Sequence, residues 1–157
     1  MAFAAPSLKG RALRLLSQRE HSRAELERKL ARFEEESGTL AQALDELTAK
    51  GFISETRVVE SVLHRRAARL GAARIRQELQ AKGLAPALVQ DAVAMLQATE
   101  LERAREVWRK KFGTPAVDAA GRAKQARFLL ARGFSGAVVA RVLHEASKPG
   151  GVPITPA

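Results

Sequence analysis

Ala72-Ala73-Arg74-Ile75-Arg76-Gln77-Glu78-Leu79-Gln80-Ala81-Lys82-Gly83 reads as one helix together with its stop signal. Ile75 and Leu79 lie four residues apart and share a helix face. Lys82 places a cation at the negative end of the helix dipole, and Gly83 can take the left-handed conformation that ends a helix. The apolar pair recurs 49 residues earlier as Leu26 and Leu30, and 50 residues later as Gln125 and Leu129, where Gln125 is the one polar member. A second ladder keeps the same offsets: Leu40, Ala43, Leu44 and Leu47 map onto Val89, Ala92, Val93 and Leu96, and these onto Val139, Val142, Leu143 and Ala146. A period near fifty residues marks stacked helical units rather than a single enzyme core.

Around these ladders the apolar spacing is helical almost everywhere, and no alternating run is long enough for a strand. The spacing predicts a first helix from about Lys9 to Arg19 and a second opening at Ser22, where Glu25 three residues on completes a capping box. A third runs from about Thr39 to Lys50. The next unit starts near Ser54, breaks at Gly71, continues over Ala72 to Lys82, and begins its last helix at Pro86, a residue tolerated in the first turn. The last unit extends from Glu100 to Ala146, with breaks near Gly113 to Pro115 and at Gly133. Ala49-Lys50-Gly51-Phe52 and Ala131-Arg132-Gly133-Phe134 repeat the cap signature of Ala81-Lys82-Gly83-Leu84. Glu34, Glu35 and Glu36 read as a solvated loop.

The expected fold is therefore all-α: three tandem three-helix repeats forming an elongated, curved array. Its expected divisions are an N-terminal extension (1–8), repeats at 9–53, 54–98 and 99–146, and a disordered tail (147–157). Units this small need stacking to be stable.

Composition removes most enzyme classes. The chain has no cysteine, so it holds neither a disulfide framework nor a thiolate metal site. His21, His64 and His144 fall in three different units with no metal-ligand spacing. The glycines punctuate helices and form no phosphate-cradling loop, and the serines sit at helix starts or in loops without a nucleophile's strand-turn-helix context. No enzyme activity and no cofactor are expected. Met1 to Lys9 lack a basic start followed by an apolar run, and no apolar stretch reaches membrane-spanning length, so the expectation is a soluble, cytoplasmic protein.

Charge is the informative quantity. The chain has 27 Lys and Arg against 17 Asp and Glu, a net charge of +10. Ten of each sign occur through Glu60, so the whole excess lies from Ser61 onward. An Arg-rich composition alone accounts for part of such an excess, but its asymmetry points to an anionic partner, nucleic acid being the commonest. The candidate binding residues are Arg65, Arg66, Arg69, Arg74, Arg76 and Lys82 in the middle unit, and Arg109, Lys110, Lys111, Arg122, Lys124, Arg127 and Arg132 in the last. Arg74 and Glu78 are spaced to pair with each other. Such cations contact phosphates whatever the base, which predicts weak, sequence-independent DNA binding. Trp108 reads as a core anchor rather than a stacking platform.

Three segments resemble the RecX family of bacterial recombinase regulators. They are Ala12 to Leu16 followed by Arg19-Glu20-His21-Ser22-Arg23-Ala24-Glu25-Leu26; Arg66 to Gly83, with Gly71, Arg74, Ile75, Glu78, Leu79, Lys82 and Gly83 at the family's spacing; and Arg109-Lys110-Lys111-Phe112-Gly113 through Arg127 to Ser135. The sequence departs from the pattern at Leu70, where an aromatic is common, and at Ser54-Glu55-Thr56-Arg57, which lacks the usual paired acids and following Phe. The resemblance implies a non-enzymatic monomer of three three-helix repeats that binds the RecA filament, protein plus DNA. It also implies inhibition of recombinase, ATPase and co-protease activity in recombination, DNA repair and the SOS response. The alternative is a helix-turn-helix transcriptional regulator, since three-helix units with a basic helix also enter major grooves.

Overall fold

A computed structural model describes residues 4–148. Among them the chain forms nine α-helices and no strand: α1 (Leu8–Gln18), α2 (Arg23–Leu30), α3 (Thr39–Ala49), α4 (Glu55–Arg66), α5 (Ala72–Ala81), α6 (Pro86–Ala98), α7 (Glu100–Lys111), α8 (Ala119–Ala131) and α9 (Gly136–Ser147). A single 3-10 turn, Ala31–Phe33, continues α2. The tail expected to be disordered lies outside the described residues beyond Lys148, while Ser147 still closes α9.

Helix ends follow the side-chain chemistry at each boundary. Ser7, Ser22, Asp118 and Ser135 each accept a backbone N–H three residues on, which satisfies a donor the helix cannot. At Ser22 the box is complete, because the Glu25 carboxylate accepts the Ser22 N–H at 3.1 Å. Gly51, Gly83 and Gly133 all have positive φ, as the repeated cap signature requires. In the first repeat the 3-10 turn and the loop at Glu34–Glu36 replace that cap, and the Glu34 carboxylate instead accepts the Leu40 N–H at the start of α3.

Both ladders are buried or half-buried throughout. Leu26, Leu44, Leu47, Ile75, Leu79 and Leu129 are among the most completely enclosed side chains. Gln125, the polar rung, is also buried, and its amide is satisfied: the oxygen accepts from the Trp108 indole at 2.9 Å and the nitrogen donates to the Thr114 carbonyl at 3.1 Å. It ties α7 and the following loop to α8 where leucine would only fill space.

The chain divides into two compact units. One holds the residues through Ser61 together with Leu79–Val89, and the other Val62–Glu78 together with the chain from Gln90. The first has a core of Ala12, Leu26, Leu30, Leu40, Leu44, Leu47 and Ile53. In the second, Ala104, Leu129, Phe134, Val139 and Val142 form a core against which Trp108 packs. The helices of the middle repeat contribute to both.

Each unit contains the same joint. In the first, Ser22 at the start of α2 donates its hydroxyl to the Lys82 carbonyl at the end of α5, Arg28 donates to the Ala81 carbonyl at 2.9 Å, and Gly83 lies against Ala24. In the second, Gly71 before α5 donates its N–H to the Arg132 carbonyl at the end of α8 at 2.8 Å, and Arg74 donates to the Ala131 carbonyl at 2.9 Å. The cap signature is thus a docking socket: the last carbonyls of one repeat's second helix receive the start of the preceding repeat's second helix. Gly71 cannot cap α5 with a side chain, and the buried Glu100 carboxylate supplies the missing acceptor to the Ala72 N–H at 2.9 Å.

Candidate nucleic-acid interface

The joints absorb some of the cations that sequence singled out. Arg74 does not pair with Glu78. Its guanidinium caps α8 through the Ala131 carbonyl and its stem lies against Gly133, while Glu78 faces Arg66, whose Nε is 3.4 Å from the carboxylate. That Nε is buried without a hydrogen-bond partner, so the pair is an ion pair only. Lys82 reaches the buried Glu25 carboxylate at 3.3 Å, where Arg19 donates at 2.6 Å. Burial alone would raise the Glu25 pKa, but the Arg19 hydrogen bond, the Ser22 N–H and the Lys82 charge hold it down at about 2. Arg66, Arg74 and Lys82 therefore serve the fold first.

In α7, Arg109 makes a two-pronged contact with Glu106 at 2.6 and 3.0 Å, and Lys110 lies 3.7 Å from the same carboxylate. The hydrogen bond from Arg109 holds the Glu106 carboxyl below the usual carboxylate range and raises Arg109 in turn. One acid thus offsets part of this cluster. Lys111 stands over the Phe128 ring at 5.2 Å and Arg132 over the same ring at 4.9 Å, while Phe112 meets it edge-on. This brings two of the selected cations together across α7 and α8 and fixes them beside a half-buried aromatic.

Arg65, Arg69 and Arg76 are exposed and make no side-chain hydrogen bond or ion pair among the described residues. Arg122, Lys124 and Arg127 on α8 are likewise exposed and unpaired. Helix α8 buries only Gln125 and Leu129 of its 13 residues. Lys124 and Arg127 follow each other one turn apart, and Arg127 stands one turn before Leu130, an apolar side chain left 48% exposed. Sequence reading placed the cations but passed over Leu130, because a leucine next to the buried Leu129 gives no sign of facing outward.

One further arginine, absent from the sequence selection, holds the second unit together. Arg103 donates to the carbonyls of Ala67, Leu70 and Leu96 at 2.8, 2.6 and 2.7 Å, and burial lowers its pKa. It gathers the ends of α4 and α6 onto α7.

The histidines do not converge. His21 is buried, with Nδ1 3.0 Å from the Arg19 carbonyl, while His64 and His144 are exposed. Among the described residues no group of three or more His, Cys, Asp or Glu side chains could hold a metal ion. No described helix is long and apolar enough to cross a membrane.

Family models of three-helix domains match the chain in tandem: the first RecX three-helix domain over residues 9–47, the second over 54–93 and the third over 98–143. The chain is 56% identical over 138 residues to the regulatory protein RecX of Leptothrix cholodnii, covering 88% of each sequence. It is 51% identical over 140 residues to the regulatory protein RecX of Ralstonia nicotianae, covering 89% of this chain and 88% of the other. Its fold matches a crystal structure of RecX from Lactobacillus salivarius with a TM-score of 0.72 at 20% identity, over 88% of this chain and 94% of that one.

Proposed function

The chain belongs to the RecX family, and from that premise we propose that it is a non-catalytic regulator that binds the RecA–DNA filament and restrains it. The observation that carries this reading is helix α8, where Arg122, Lys124 and Arg127 are exposed and unpaired and Arg127 stands one turn before the exposed Leu130. Cations without internal partners are available to backbone phosphates, and an apolar side chain beside them suits a partner that offers protein as well as DNA. In this reading the repeats at 9–53, 54–98 and 99–146 act as a cytoplasmic monomer. The free cations Arg65 of α4, Arg69 of the turn that follows it and Arg76 of α5 extend the basic surface, and inhibition covers recombinase, ATPase and co-protease activity.

Binding to bare DNA is weak, indifferent to sequence and strongly salt-dependent, because phosphate contacts release counterions. The test is ATP hydrolysis by RecA on single-stranded DNA with increasing amounts of the chain. A dose-dependent fall supports the proposal. Unchanged hydrolysis, or footprint protection of one duplex sequence without RecA, points instead to a transcriptional regulator.

A further inference from the structure

The chain through Glu60 is electrically neutral in sum, yet its charges are not evenly placed. Lys9 is paired with Glu46, Arg19 with Glu25, Arg23 with Glu27 and Asp45, and Arg57 with Glu20. Arg11, Arg14, Lys29 and Arg32 have no ion-pair partner among the described residues, and all four line a single groove of about 370 Å³ between α1 and the α2–3-10 segment. No acidic side chain lines it.

The groove is pre-arranged. Arg11 and Arg32 are seated on the Phe33 ring at 3.8 and 4.6 Å, which leaves their edge donors for a ligand. Lys29 is held by His21: the buried imidazole accepts from the ammonium at 2.9 Å through Nε2, while its Nδ1 lies 3.0 Å from the Arg19 carbonyl. Burial lowers the His21 pKa, which keeps the ring neutral and able to accept that hydrogen bond. Leu15 and the buried Leu30 supply an apolar floor. The volume is that of a small-molecule site and well beyond what a bare phosphate fills.

We infer that this groove binds a nucleotide: its four cations take the phosphate, and Leu15, Leu30 and the guanidinium faces on Phe33 take the base and sugar. The ligand is either a free nucleotide or one residue of a nucleic-acid strand, since both present the same chemistry. The inference does not rest on the α8 face, and RecA is absent from its test. Amide shifts of the isotope-labelled full chain are followed by NMR during titration with inorganic phosphate, with ATP and with a 5′-phosphorylated thymidine trinucleotide.

Amides of residues 10–18 and 29–33 are expected to move with ATP or with the trinucleotide, at least tenfold more tightly than with inorganic phosphate. Arg14→Ala combined with Arg32→Ala, both exposed side chains, is expected to weaken that binding at least tenfold while circular dichroism stays unchanged. Tighter binding of ATP identifies a free nucleotide as the source, and tighter binding of the trinucleotide identifies a strand. No shift in these amides at millimolar probe, equal affinity for phosphate and nucleotide, or equal binding by the double variant overturns the inference. Should the double variant lose structure, Lys29→Gln takes its place under the same criterion.

Discussion

Gly71→Ala probes the joint between α5 and α8 directly. A Cβ built at Gly71 lies 2.2 Å from the Gly133 carbonyl oxygen and 2.3 Å from the Gly133 carbon and the Phe134 nitrogen. All three are backbone atoms, so no rotamer change relieves the overlap. Separating them to ordinary contact moves the two segments apart by about 1 Å or more, which breaks the 2.8 Å bond from the Gly71 N–H to the Arg132 carbonyl and the 3.3 Å bond from the Ala73 N–H to the Gly133 carbonyl. Overpacking costs about 1–3 kcal/mol and each lost hydrogen bond about 0.5–1.5, offset by about 0.4–1 from the stiffer unfolded chain. The net expectation is a loss of roughly 1–5.5 kcal/mol, which at a urea slope of roughly 2 kcal/mol per molar lowers the midpoint by about 0.5–2.8 M. Circular dichroism during urea denaturation reads this out, with Gly136→Ala as the comparison. Nothing lies within 4 Å of a Cβ at Gly136, the first residue of α9, so that variant is expected to match the wild type or gain slightly. Equal midpoints for the two variants would refute the docking geometry.

Leu44→Ala and Leu79→Ala, both fully buried, are each expected to cost about 2–5 kcal/mol in the same denaturation experiment; a negligible shift would mean the ladders are not core. Arg103→Met is expected to cost roughly 2–4 kcal/mol by leaving the Ala67 and Leu70 carbonyls without their donor, while the Leu96 carbonyl keeps the Thr99 N–H at 3.3 Å, and an unchanged midpoint would show that water replaces the guanidinium. For Glu25 the folded pKa of about 2 lies below the ordinary 4.5, so its contribution is full above pH 4.5 and disappears as the pH falls from 4.5 toward 2. The depression corresponds to at most roughly 3 kcal/mol, reduced to about 1–2 because Arg19 is partly exposed, and Glu25→Gln is expected to flatten that part of the stability profile.

Much of the architecture was legible because periodicity and caps are local signals. Ile75 and Leu79, the capping box at Ser22 and Glu25, Pro86 opening α6 and the glycines at 51, 83 and 133 all act within a turn or two of chain. What the caps do next was not legible. Only in three dimensions does Ala131-Arg132-Gly133-Phe134 become the socket for Gly71, and Arg74 leave Glu78 for the Ala131 carbonyl. Gln125 looked like a flaw in the ladder because its two partners, Trp108 and Thr114, lie in another helix and a loop. The charge reading had the same limit. A count by segment finds the excess after Ser61 but is blind to which cations are neutralised. It therefore ranked Lys82 and Arg74 with Arg127, and it missed the four unpaired cations gathered around Phe33 in a stretch, through Glu60, whose total is zero.

The role of the α8 face is tested most directly by moving charge without changing its amount. Lys124→Glu with Arg127→Glu is compared with Lys9→Glu and Lys50→Glu, two first-repeat residues outside the groove, so both variants alter net charge equally. Inhibition of RecA-catalysed ATP hydrolysis on single-stranded DNA is measured at roughly 0.15 M salt, where long-range attraction is screened beyond about 8 Å. The α8 variant is expected to need at least tenfold more protein for half-inhibition while the first-repeat variant stays within about twofold of the wild type. Equal inhibition by the two variants would contradict the proposed interface and assign recognition to surfaces other than α8.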